Sequence, residues 1–171
     1  MEDRYLFKAK RIDWRELPKE KWWVKGYLFD DGITNSHRMF VGGLVIEPCK
    51  AIDYNEELVI TGTDYYEIDK ETICRPTGLK DRHGNLIFEN DLMDGFSYPY
   101  LSGLDSEHDY FAEVCWCDDV AGFGICTHKY KNSDVRGTAD GEVDLLEDFD
   151  SSKWEIIGNK FDNKELLESE E

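Results

Sequence analysis

Alternation of apolar and polar positions, more than any helical period, organises this chain. In residues 4–11 (RYLFKAKR) Tyr5, Phe7 and Ala9 share one side of an extended segment, while Arg4, Lys8 and Lys10 fall outside that set. A period of two with one apolar side predicts a half-buried strand. Leu17-Pro18 breaks the pattern, and residues 22–32 (WWVKGYLFDDG) predict a second strand closed by the turn pair Asp31-Gly32. Residues 37–47 (HRMFVGGLVIE) predict two extended pieces bent at Gly42-Gly43. Short strands follow at 57–61 (ELVIT) and 65–69 (YYEID), then a turn or single helical turn at 69–72.

Pro76 marks a change in composition. Residues 77–85 read as a loop with two turn-forming glycines, residues 86–88 (LIF) as a short strand, and residues 94–109 as a long polar loop. Residues 113–118 (EVCWCD) and 124–130 (GICTHKY) predict a hairpin around 119–122, and 132–140 a flexible stretch. Residues 154–158 form the final strand, and 163–171 a short helix capped by Asn163. Short strands at this spacing predict a mainly β protein, a small barrel or sandwich with minor helix, divided into 1–75 and 76–171.

A length of 171 residues suits one ordinary domain or two small ones, and 40% hydrophobic residues suffice for a core. Charge changes the picture more. The net charge is −18, and residues 105–171 hold 19 acids against 6 bases. Phosphate binding depends on Lys and Arg, so direct nucleic-acid binding is disfavoured. The same surface suits a basic protein partner, or an acidic mimic of nucleic acid. The start (MEDRYLFKAKRIDW) has no apolar stretch like that of a signal peptide, and no run approaches 18 apolar residues. Five cysteines, an odd number without a scaffold-like distribution, suit reduced thiols in a cytoplasmic setting.

The best constellation for chemistry is Cys115-x-Cys117 with Cys126-x-His128. Residues two apart on a strand share a face, so a hairpin brings three sulfurs and an imidazole together, a set suited to tetrahedral zinc. The competing reading makes these cysteines small core hydrophobes. No nucleophile elbow or phosphate loop occurs. His37, His83 and His108 read as surface histidines, and the acidic run 144–150 lacks the EF-hand pattern. Trp22-Trp23 and Tyr98-Pro99-Tyr100 offer stacking surfaces that suit core packing first and a peptide second.

Two blocks carry a resemblance. Residues 77–93 (TGLKDRHGNLIFENDLM) and 154–167 (WEIIGNKFDNKELL) resemble the hallmark segments of the YopX family of phage and prophage proteins. Phe7-Lys8-Ala9-Lys10, the segment 23–27 (WVKGY) and residues 66–72 (YEIDKET) are similar to its earlier segments, in order along the chain. The resemblance implies an SH3-like barrel in the second half, a β-rich extension before it, and a phage context. It supplies no activity and no catalytic residue. Asn90 stands where the family usually has Gly, which predicts a left-handed backbone there, and Asp91 is placed to bond neighbouring amides. Thr77, Gly78, Lys80, Asp81 and Gly84 read as turn chemistry or as a contact surface.

The resulting expectation is a non-enzymatic interaction protein without a cofactor, joined to a protein partner and self-associating as a homo-oligomer. The acidic mimic and the small zinc-binding protein are the alternatives.

Overall fold

The computed structural model describes residues 5–30, 38–50, 56–94, 110–131, 141, 143–146 and 150–167, with backbone alone for 43–50 and 56–63. They fall into two units, Met1–Arg75 and Pro76–Glu171.

In the first unit, β1 (Phe7–Lys10), β2 (Trp23–Asp30), β3 (Met39–Lys50) and β4 (Glu56–Glu67) form an antiparallel sheet in chain order. The alternation of the first segment holds at Phe7 and Ala9, while Tyr5, expected on the same side, precedes β1 and is exposed. Ala9 is buried with Val41 and Ile68, against Phe7, Val24, Leu28, Met39 and Ile73. Gly26 and Gly42 permit the close strand approach. A Cβ on Gly26 meets the Gly42 carbonyl oxygen, and one on Gly42 meets the Asp64 carbonyl oxygen. Gly42 therefore serves packing and not a bend, and residues 39–50 make one strand. The segments 57–61 and 65–69 likewise fuse into β4, with a register shift after Val45 as the irregularity. Isolated bridges from Lys8 to Cys74 and from Arg11 to Ile68 return the chain to β1.

Lys10 departs from its expected place. It is 1% exposed, and its ammonium lies 4.1 Å from the Trp14 ring centre, 4.8 Å from Trp22 and 5.3 Å from Trp23. Three indoles thus stand where water surrounds an ordinary lysine, and their π faces offset part of the desolvation.

In the second unit, β5 (Pro76–Lys80) and β6 (Leu86–Phe88) pair as a hairpin. The strands β7 (Asp91–Asp94), β8 (Tyr110–Cys117), β9 (Gly122–Lys129), β10 (Val143–Leu145) and β11 (Glu155–Asn159) form an antiparallel sheet ordered β10-β9-β8-β7-β11. Tyr110, Ala112 and Val114 of β8 and Ile125 of β9 face a core completed by Ile87, Met93, Leu146 and Trp154. The protein is mainly β, its sheets are open among the described residues, and one short helix, α1 (Lys164–Leu167), closes the described chain. One local expectation changes: residues 76–80 are strand where a loop was expected. Asn163 directly precedes α1, its carbonyl accepting from the Leu166 amide at 3.1 Å and its side chain from the Asn159 amide at 3.2 Å. The segments 94–109 and 132–140 lie largely or wholly outside the described residues, as do His37, His108 and Tyr98-Pro99-Tyr100.

The turn from β6 to β7 fixes the corner of this unit. Asn90 has φ 68°, the left-handed conformation that the exchange of Gly for Asn implies. Its amide donates to the Val114 carbonyl at 2.7 Å, and its carbonyl accepts from the Lys160 amide at 3.0 Å. Glycine relieves the strain of this conformation and a β-branched residue aggravates it. Asn90→Gly should stay within about 1 kcal/mol of the parent, while Asn90→Val should lose roughly 2 kcal/mol or more of unfolding free energy, as urea denaturation measures.

Candidate interaction site

The hairpin of the second unit is irregular at the residues of the first resembling block. Pro76 pairs with Phe88 and Lys80 with Leu86, so β5 carries two more residues between these rungs than β6 does. Gly78 takes φ 81° inside this bulge. The Thr77 hydroxyl donates to the Ile87 carbonyl at 2.8 Å and accepts from the Leu79 amide at 3.1 Å. A bulge re-aims the side chain beside it. Here Leu79 is turned out of the core and left exposed.

Leu79 lines a groove of about 370 Å³ with Thr77, Val120, Gly122, Phe123, Leu145 and Leu146. Val120 sits at the tip of the β8–β9 turn, 56% exposed, between Asp119 and Ala121, whose φ is 50°. Phe123, another lining residue, meets Trp116 edge to face at 5.1 Å between ring centres. Acidic residues lie close in sequence to the lining residues: Asp118 and Asp119 before Val120, and Asp144 before Leu145. Sequence reading missed this groove. Its signals were an exposed valine in an acidic turn and a leucine after a bulge glycine.

The other residues of the block hold the hairpin in place. The Asp81 carboxylate, 4% exposed, accepts from the His83 amide at 2.9 Å, the Asn85 amide at 2.8 Å and the Asn85 side chain at 3.1 Å, with the Ile156 amide of β11 at 3.4 Å. Burial raises its pKa, but these donors together hold it below the ordinary carboxylate value. Gly84 turns the loop at φ 82°. The Lys80 carbonyl accepts from the Ser151 hydroxyl at 3.3 Å. Asp91 accepts from the Phe88 amide at 2.9 Å and the Asn159 side chain at 3.1 Å. These contacts are structural, and they aim Leu79.

The thiols occupy the opposite face of the same sheet. Register sets Cys126 opposite Glu113, Cys115 opposite Gly124, Cys117 opposite Gly122 and His128 opposite Phe111. All four expected residues therefore share one face. The His128 imidazole stacks on Phe111 at 5.2 Å, and its Nε2 lies 3.5 Å from Glu113 Oε2. Lys160 Nζ approaches Glu113 Oε1 at 3.2 Å. Burial raises the Glu113 pKa, yet the His128 contact and the Lys160 charge hold it below the usual range. Burial pushes the Cys115 thiol up to about 12, helped by Cys117, Cys126 and Glu113. Among the described residues no three His, Cys, Asp or Glu side chains are placed to hold a metal ion.

Antiparallel sheets, open among the described residues, and a bulged hairpin beside an apolar groove define a mainly β protein with a candidate docking surface. The chain belongs to the YopX family, whose model, described as YopX protein, matches residues 41–168. Among solved structures it is similar to protein EF1440 from Enterococcus faecalis, with 19% identity over 96% of this chain and 97% of that one and a TM-score of 0.43. No curated protein matches the chain. Among the described residues no helix is long and apolar enough to cross a membrane.

The Cys115 environment sets a measurable reactivity. With its thiol near 12, against an ordinary 9.0, the native thiolate fraction falls about a thousand-fold at neutral pH. Iodoacetamide should label Cys115 far more slowly in the folded chain than in urea. Equal rates contradict the arrangement.

Proposed function

We propose that this chain is a non-enzymatic protein-interaction module of a phage or prophage, which takes an apolar side chain of a basic partner protein into the groove at Leu79, Val120 and Phe123. The observation that carries this reading is the bulge at Thr77 and Gly78. It leaves a leucine exposed beside a preformed groove, although burying that leucine inside the unit is worth about 1.5–3 kcal/mol. A concave apolar site with a charged rim suits an anchor residue flanked by opposite charge. Asp118, Asp119 and Asp144, close in sequence to Val120 and Leu145, are the acids this reading assigns to the rim.

An SH3-like barrel is the architecture this reading uses. The order β10-β9-β8-β7-β11 supports it, as does the 3₁₀ turn Ser151–Lys153 before the last strand. In that frame the groove belongs to the loops at one end of the sheet, where interaction modules place binding residues. The acidic mimic is the second reading, resting on the excess of acids in residues 105–171. It needs charge alone and not the groove.

Selection from a displayed peptide library separates the two. The groove reading expects enrichment of Leu, Ile, Met or Phe beside Lys or Arg, with Leu79→Asp and Val120→Asp each weakening binding at least tenfold, about 1.4 kcal/mol. Purely basic peptides indifferent to both substitutions, and released by salt, favour the mimic. A library without enrichment overturns the groove reading.

A further inference from the structure

The paired backbones of β3 and β4 extend beyond the rest of their sheet. The β2–β3 ladder ends where Tyr27 faces Gly42, while β3 and β4 stay paired out to Lys50 and Glu56. Beyond Gly43 they form a two-stranded ribbon with no third strand among the described residues. A two-stranded ribbon alone is marginal in water, and three strands or a covering layer are needed to hold it.

Pleat alternation sorts the ribbon's residues into two unlike faces. Leu44, Ile46 and Pro48 occupy one face of β3, with Thr63, Ile60 and Leu58 opposite them. At the tip of the same face Lys50 stands opposite Glu56. The other face holds Val45, Glu47 and Cys49 with Gly62, Val59 and Glu57. The first face is thus apolar at five of these six positions and ends in one cation and one anion. The edges are poorer docking sites, since Pro48 brings no N–H and β4 opens with Glu56-Glu57.

We infer that a second copy of this chain covers the apolar face, the two ribbons lying face to face about a two-fold axis along their length. This operation sets β3 of each copy over β4 of the other, and so the Lys50 position over the partner's Glu56, twice. Charge selects this occupant. Two chains of net charge −18 repel one another wherever acids meet, and this face is neutral and complementary to itself, as a two-fold contact requires. A basic partner finds its match on the opposite face, at Glu47 and Glu57. The contact lies in the first unit, is independent of the groove, and stands or falls without it.

Light scattering of the eluting full chain reads the result directly. The wild type should elute at twice the 20.0 kDa chain mass, and Ile60→Asp should weaken the dimer at least tenfold and give the single mass on dilution. Circular dichroism identifies an Ile60→Asp chain that fails to fold. In that case the tip decides: Lys50→Glu should weaken dimerisation several-fold, and Lys50→Glu with Glu56→Lys should restore it. A wild type at 20.0 kDa, a folded Ile60→Asp chain with unchanged assembly, or tip variants without effect overturns the inference.

Discussion

One buried carboxylate organises the second unit. Asp91 is 1% exposed and stands where β7 begins, directly after a residue in the left-handed conformation. Its two oxygens bind different elements, one taking the Phe88 amide at the end of β6 and the other the Asn159 side chain at the end of β11. A charge in this position is tolerable only while donors surround it, so the carboxylate stabilises one arrangement of three strands and penalises others. Asn159 extends the connection, because its own oxygen accepts from the Phe161 amide at 3.1 Å.

The groove depends on this corner. The β5–β6 hairpin is held at its turn by Asp81 and at its exit by Asp91, and both carboxylates reach β11. Leu79, between those anchors, can therefore be exposed without the hairpin collapsing inward. The opposite sheet face has a different character. Its thiols are crowded and Cys115 is held protonated, while the Glu113 carboxylate is engaged by His128 and Lys160.

Much of the architecture was legible in the sequence because strands announce themselves by alternation. The half-buried first strand, the β8–β9 hairpin and the final Trp154-led strand all follow from local pattern. The family was readable too, since its first block includes turn residues with particular backbone demands, Gly78, Gly84 and Asn90. What stayed hidden depends on distant pairing. Gly42 looked like a bend because a glycine's cross-strand neighbours are not written beside it. Lys10 looked like a solvated cation because its three indoles come from positions 14, 22 and 23. The sharing of one sheet face by Cys115, Cys117, Cys126 and His128 was deducible from alternation. Their placement opposite Gly124, Gly122, Glu113 and Phe111 was set by the β8–β9 register. The groove was missed because the bulge that exposes Leu79 depends on the β5–β6 register, with Gly78 as its local mark.

A double-mutant cycle between Asp91 and Asn159, read by urea unfolding of Asp91→Ala, Asn159→Ala and the combined variant, tests the central claim most directly. A charge-assisted bond that ties β7 to β11 predicts a coupling of about 1.5–3 kcal/mol. Losses that add to within about 0.5 kcal/mol would show the two residues acting independently, and the corner would not be the constraint on which this unit is built.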